Sequence, residues 1–219
     1  WFTAEDVIKD GGSNRVATWT NLADSSNHAT QATAGDMPVV LDNEINGYPA
    51  VDFDGVDDYL DLVTNPTQGA QNRTIFLVMK ADMVASSNTM LMLGDVDGTD
   101  GKSFAVTPEV GVRVNGNIIF DQSTGTSNYR VVTIDFDGTT TNDITAWLDG
   151  TQLGVSSQSA RPIDSGVEAR FGRAFNWSSP PVVYDGKIAE SIIYDASLSS
   201  SDRTAVHEYL ETKYGITIN

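Results

Sequence analysis

Seven Asp-Gly pairs punctuate this chain, at 10–11, 54–55, 97–98, 100–101, 137–138, 149–150 and 185–186. Glycine takes positive φ without steric cost, and aspartate bonds to backbone two residues on. Asp-Gly between apolar runs is therefore a hairpin or turn signal. The runs between the pairs are short and rich in Val, Ile, Phe and Tyr. RTIFLVMK (73–80), SFAVT (103–107), VGVRVNG (110–116), YRVVTIDF (129–136), DITAWLDG (143–150) and GKIAESIIYD (186–195) all read as strands. Many strands divided by turns, with no helical pattern between them, predict an all-β, two-sheet antiparallel jelly-roll sandwich.

One segment breaks the pattern. LSSSDRTAVHEYLETKYG (198–215) has helical spacing, with Ala205, Val206, Tyr209, Leu210 and Tyr214 roughly on one stripe. A serine followed by Asp202 suits its start and Gly215 its end, so a closing helix is expected over about 199–213, packed on the sandwich edge. The 219 residues fit one domain over 1–219, with no linker or repeat visible. A chain of this size buries about two thirds of its unfolded surface. It needs no disulfide, and with no cysteine it can form none.

The formal net charge is −17. That argues against nucleic acid and against an anionic membrane surface, both of which need a positive patch. It fits neutral ligands such as glycans, and it fits cations, calcium above all. No apolar run approaches the length needed to span a membrane, so membrane insertion is not expected. The opening at Trp1 without a signal peptide is read as a processed product or an excised piece, and export stays open.

Two stretches carry a family likeness. RVATWTNLADSSNHATQATAGDMPVV leads into INGYPAVDFDGVDDYLDL, with its Trp strand, polar loop, Asn-Gly turn, Pro-Ala-Val and Phe-Asp-Gly. Near the end, YDGKIAESIIYDASLSSSDRTAVHEYLETKYGI joins an Asp-Gly-hydrophobic-Ala-Glu strand to a helix finishing in Lys-Tyr-Gly-Ile. In this order the phrases resemble the concanavalin A-like, laminin G-like jelly-roll domains of secreted bacterial proteins, over nearly the whole chain. The resemblance implies a secreted or surface-attached protein. It also implies a fold shared by lectins, carbohydrate-binding modules, glycanases, lyases and adhesion domains, so function has to be argued from the site.

The carboxylates read two ways. In VDFDGVDDYL (51–60), Val51 and Phe53 suit an inner face and Asp54-Gly55 a turn, which leaves Asp57 and Asp58 as the best metal ligands. The resemblance implies calcium held at rim loops by carboxylates and backbone carbonyls, and calcium takes six to eight hard oxygens. In GDVDGTDG (94–101), Asp95, Asp97 and Asp100 crowd one loop. They form either an exposed acidic hairpin or a second cation site, and their spacing is not that of an EF-hand.

Catalysis finds little footing. Glycoside hydrolysis usually needs two opposed carboxylates. The Glu-x-Asp-x-x-Glu run of jelly-roll glycanases is absent, and both Asp-x-Asp runs end in a turn glycine. His28 and His207 have no evident partner in the sequence, and the G-x-S-x-G context is missing.

Glycan binding in such sandwiches uses exposed rings and hydroxyl-bonding polar groups. Trp19 reads as core. Trp147 lies on the strand face opposite Ile144, Ala146 and Leu148, so it is either exposed or covered by the helix. Trp177 sits in a loop among serines and prolines, and Tyr129 and Arg173 stand near loops. The expected ligand-binding set is therefore Trp147, Trp177, Tyr129 and Arg173. The leading expectation is a non-catalytic, lectin-like module for a polysaccharide or glycan, with calcium as supporting ion. The alternatives are a structural or adhesion domain with a protein partner, and a glycoside hydrolase or polysaccharide lyase.

Overall fold

A computed structural model describes residues 1–67, 72–84, 88–94, 104–114, 117–120, 123–138, 143–157, 169–174 and 182–219. In chain order the strands are β1 (Phe2–Thr3), β2 (Val7–Lys9), β3 (Val16–Trp19), β4 (Ala29–Thr30), β5 (Val39–Ile45), β6 (Tyr48–Asp54), β7 (Leu60–Leu62), β8 (Arg73–Ala81) and β9 (Leu91–Leu93). They continue as β10 (Phe104–Thr107), β11 (Gly111–Val114), β12 (Asn117–Ile119), β13 (Arg130–Asp137), β14 (Asp143–Leu148), β15 (Thr151–Ser157), β16 (Ala169–Phe171) and β17 (Asp185–Tyr194). Helix α1 (Ser200–Tyr214) follows. The expected strands all form, within a residue or a few of the predicted ends.

The strands make two antiparallel sheets. The first runs β15-β14-β13-β8-β17-β6-β5, with β1 paired to β17. The second runs β12-β11-β10-β9-β16-β7-β4-β3-β2. Alternation along each strand sends one set of side chains into the space between the sheets. Val51, Phe53, Ile75, Leu77, Ile134, Phe136, Ile144 and Ala146 come from the first sheet; Trp19, Leu60, Leu91, Leu93, Phe104 and Phe171 meet them from the second. Trp19 is fully buried and donates its indole N–H to the Thr3 carbonyl at 2.8 Å, as a core tryptophan must.

The helix begins where Ser199 accepts from the Asp202 amide at 3.2 Å and ends at Gly215 in the left-handed region, φ 66°. It packs over the outer face of the first sheet rather than at the sandwich edge. Phe76 and Val78 of β8, Val131 of β13, and Ala189 and Ile192 of β17 meet Leu210 and Tyr214 there. Its buried face is His207, Leu210 and Tyr214, while Ala205 is exposed and Tyr209 stands 36% exposed. The stripe read from the sequence thus sits about one position off, because a polar imidazole takes a central buried place.

A β-bulge in β17 positions the helix. The register with β8 slips between Ile188 and Glu190, so Ile188 faces Met79 and Glu190 faces Val78. One extra residue reverses the alternation from that point. Ile188 points into the core and Glu190 points out, beneath the helix.

Candidate functional site

The acidic stretch at 54–58 lies on the rim between the sheets. β6 delivers the chain to Asp54 in the first sheet, and β7 takes it up at Leu60 in the second. Gly55 makes the crossing at φ 74°, and a Cβ there would stand 2.7 Å from the Asp185 Cβ. Asp54 Oδ1 accepts from the Val56 amide at 2.8 Å, and Asp58 Oδ2 accepts from the Asp54 amide at 3.0 Å. These bonds close the turn and draw one oxygen of each of Asp54, Asp57 and Asp58 within 4.8 Å of one another. Burial first, and then the charges of Asp54, Asp57 and Asp52, push the Asp58 carboxyl up to about 6. Three converging carboxylates are hard-oxygen donors suited to calcium, and a divalent ion relieves their mutual repulsion. Asp57 and Asp58 thus meet as the sequence suggested, and Asp54, read there only as a turn residue, joins them.

The same rim carries cations. Lys187 lies 3.1 Å from Asp52 and 2.7 Å from Asp82, which neutralises the strand ends beside the cluster. On the other side Tyr59 follows directly after Asp58. The Arg170 guanidinium lies 4.1 Å from its ring centroid and that of Arg173 5.4 Å away. Arg170 also holds Asp61 through both guanidinium and carboxylate, with Nη2 to Oδ2 at 3.0 Å. Arg173 has only the Tyr59 ring as side-chain partner among the described residues, so its N–H donors are free to meet an acceptor. Stacking on a ring fixes a guanidinium that would otherwise sample many rotamers.

Tyr59, Asp61 and Arg170 were missed in the sequence. The signal was present as alternation: in ARF Arg170 points away from the core that takes Ala169 and Phe171, and in LDL Asp61 does the same.

The other expected ligands separate. Trp147 is 6% exposed, with the Arg203 guanidinium 4.0 Å from its ring centroid. Of the two expectations for it, helix cover is the one realised, and no open ring face remains for a sugar. Tyr129 is half-buried on the helix-bearing face of the first sheet, away from Arg173 in its own sheet layer, and donates to Glu44 Oε2 at 3.3 Å. Trp177, Asp95, Asp97 and Asp100 lie outside the described residues. The residues on either side of 175–181 are described: the Ala174 amide donates to the Val182 carbonyl at 2.9 Å, and Arg173 bridges to Val183.

Groups considered for catalysis are held in structural bonds. Asp135 is buried and accepts from Thr74 Oγ1 at 2.6 Å and Ser197 Oγ at 2.7 Å; burial raises its carboxyl above the usual range. Asp52 is paired with Lys187. Both histidines have partners the sequence did not reveal. His28 Nδ1 accepts from the Asn21 amide at 3.0 Å, and His207 Nε2 meets Thr133 Oγ1 at 2.8 Å.

No protein-family model and no curated protein sequence matches the chain. Solved structures do match it in fold. Domain 4 of AbnA, a GH43 extracellular arabinanase from Geobacillus stearothermophilus in complex with arabinotriose, aligns over 94% of this chain and 96% of its own, at 14% identity and TM-score 0.64. The CBM40 of the Ruminococcus gnavus IT-sialidase, bound to α2,3-sialyllactose, aligns over 72% of this chain and 96% of its own, at 17% identity and TM-score 0.52. A native heptameric SAP-like pentraxin from Limulus polyphemus aligns over 72% and 81%, at 12% identity and TM-score 0.54. At such identities the likeness is one of fold: a two-sheet β-sandwich of the kind these carbohydrate-binding modules and pentraxin share.

Proposed function

We propose that this chain is a single, non-catalytic glycan-binding module of a secreted or surface-attached protein. Its binding edge is the rim built from Asp54, Asp57, Asp58, Tyr59, Arg170 and Arg173. The carrying observation is the adjacency of a three-carboxylate cluster to an arginine that a tyrosine ring holds in place with its donors unengaged. Calcium at the cluster would fix the 54–58 turn and offer open coordination positions to sugar hydroxyls. Arg173 would donate to ring or glycosidic oxygens, and Trp177, four positions on, would supply the stacking face. The sugar-bound complexes of two fold relatives, with arabinotriose and with sialyllactose, support this reading.

Isothermal titration calorimetry tests it. Calcium is titrated first, then arabinan and sialylated glycans with and without it. The expected result is a saturable calcium signal lost in Asp58→Asn, and glycan heat lost in Arg173→Ala. Calcium binding unchanged in Asp58→Asn, or glycan binding indifferent to Arg173, sinks the assignment of this rim.

A second reading, an adhesion domain with a protein partner, has one observation in its favour. Trp1, Ile192, Tyr194, Val206 and Tyr209 line an apolar groove of ≈ 230 Å³ beside the helix, with Trp1 38% exposed. Grooves of this kind serve protein contacts. Loss of partner binding in Trp1→Ala with glycan binding intact would favour it.

A further inference from the structure

A second cleft lies elsewhere, on the helix-bearing side. It measures ≈ 530 Å³, and its walls include Glu44, Asn46, Asn128, Tyr129, Arg130 and Asp149. That volume is in the range of small-molecule sites, which span about 300–1,000 Å³. Four pieces of chain that are distant in sequence meet around it: the β5–β6 hairpin, the segment entering β13, the β14–β15 turn, and the end of α1 with the tail after it.

The backbone here departs from regular geometry in ways that aim side chains at the opening. β5 slips register between Leu41 and Ile45, so 42–44 leave the ladder and Glu44 is redirected. Asn43, Asn46 and Asp149 all have positive φ, at 61°, 48° and 46°. Asn46 and Asp149 line the cleft and open the two-residue hairpin turns Asn46-Gly47 and Asp149-Gly150, for which positive φ is the ordinary geometry, and Asn43 lies in the irregular stretch beside Glu44.

The side chains form a hydroxyl-binding set. Among the described residues the Glu44 carboxylate receives only the Tyr129 hydroxyl, at 3.3 Å, and keeps acceptor capacity. Asn128 is exposed, and its amide has no partner among the described residues. Tyr129 contributes ring surface and a hydroxyl. Arg130 is tied to Asp149, and its Nη1 reaches the Thr124 carbonyl at 3.4 Å, so it stiffens the wall. Asp149 is fixed in turn by the Val131 amide at 2.7 Å and by the Asn219 amide on its carbonyl at 2.9 Å. The charge balance is negative. Glu44 and Asp149 outweigh Arg130, and burial, with the fields of Glu44, Asp52 and Asp82, raises the Tyr129 hydroxyl far above its ordinary range. Such a field disfavours an anion and leaves a neutral polyol as the ligand that these donors and acceptors match.

We propose that this cleft is a second carbohydrate site, specific for a short neutral oligosaccharide, with Glu44 and Asn128 bonding its hydroxyls against the Tyr129 ring. It goes beyond the rim assignment and stands or falls separately from it.

Two-dimensional ¹⁵N–¹H NMR of the full chain tests the proposal. Arabinotriose, xylotriose, cellotriose and maltotriose are titrated in turn, with EDTA present to remove any calcium contribution, and sialyllactose serves as the acidic control. At least one neutral trisaccharide is expected to shift the amides of Glu44, Asn46, Asn128 and Tyr129 saturably. Its affinity should fall about tenfold or more in Glu44→Ala and in Asn128→Ala, and stay unchanged in Arg173→Ala. Asn128 is exposed, so its variant is expected to stay folded and keeps the test decisive. No shift at these amides with any of the four sugars overturns the proposal, as does binding that ignores both substitutions. Shifts confined to the Tyr59–Arg173 rim overturn it while leaving the rim assignment intact; shifts confined to the cleft support it and, with calcium chelated, leave the rim assignment to the calorimetry.

Discussion

Glu190 is 1% exposed, and its carboxylate sits beneath the helix as the common acceptor of four donors. Trp1 Nε1 donates at 2.7 Å, Tyr209 OH at 3.0 Å, Tyr214 OH at 2.6 Å and Lys213 Nζ at 3.0 Å. Glu190→Gln keeps the shape and changes the chemistry. One oxygen becomes an NH₂ that faces donors, and the buried ammonium of Lys213 keeps as ion-pair partner Glu5, at 2.8 Å and 43% exposed, with the Thr3 hydroxyl at 3.3 Å. Breaking a buried charge pair from one side costs about 3–5 kcal/mol, and each hydrogen bond to a charged group is worth about 1.5–3 kcal/mol. The surviving Glu5 contact offsets part of this, so the expected loss is about 3 kcal/mol. For a chain of this length that lowers Tm by roughly 6–12 °C. Urea denaturation followed by far-UV circular dichroism measures it, with the m-value expected to hold. Lys213→Met combined with Glu190→Gln should cost less than the sum of the two single changes, because the second removes the charge stranded by the first. A loss under about 1 kcal/mol, or strictly additive single effects, would refute the view of Glu190 as the shared anchor.

Other expectations follow from the same contacts. Burial, and then Arg203, hold the His207 imidazole down at about 4, so the folded chain keeps it neutral while the unfolded chain protonates it below its ordinary value. Its contribution is complete above about pH 6.5 and is lost as pH falls toward 4, by about 1–2 kcal/mol after allowance for solvent screening. His207→Gln should lose correspondingly less stability than the parent between neutral pH and pH 4.5, and parallel pH profiles would contradict this. Gly172 has φ 86°, and a Cβ there would lie 2.4 Å from Phe53 Cδ1 and 2.8 Å from the Asp58 carbonyl oxygen. Gly172→Ala should therefore cost about 3 kcal/mol in thermal denaturation and weaken calcium binding by moving the Asp58 backbone. Arg203→Ala uncovers Trp147 and should red-shift its emission at a cost of about 1 kcal/mol; an unmoved spectrum would show that other groups shield the ring.

Much of the architecture was legible because strands announce themselves by period. Asp-Gly turns fall where expected at Gly11, Gly55 and Gly150, all at positive φ, whereas Asp185-Gly186 opens strand β17 instead of making a turn. Val51 and Phe53 sit in the core as alternation demands. What escaped were features set by relations between distant segments. The helix stripe was misjudged because His207 is buried against Thr133 and Phe76, and hydropathy does not register a polar group whose partner lies on another strand. The fate of Trp147 turned on Arg203 in the helix, 56 positions later, which alternation within β14 does not reveal. The metal candidates were found as a local cluster, but Asp54 was hidden by its own turn role. The arginines that flank Tyr59 come from β16 and its exit, and only sheet order brings them near.

The bulge at 188–190 places an unusual demand on heredity. Glu190 reaches the helix only because an odd residue has been inserted into an alternating strand; its position depends on counting, while its neighbours depend on chemistry. Substitutions along β17 can change size and polarity by degrees. A ladder made regular without losing a residue would send Glu190 into the hydrophobic interior and Ser191 toward the helix in a single step, with no graded intermediate, whereas loss of Ala189 itself would leave Glu190 opposite Val78 on the helix side. Over evolutionary time this strand should therefore drift in composition, and a lineage that shed the bulge residue would keep the carboxylate in place.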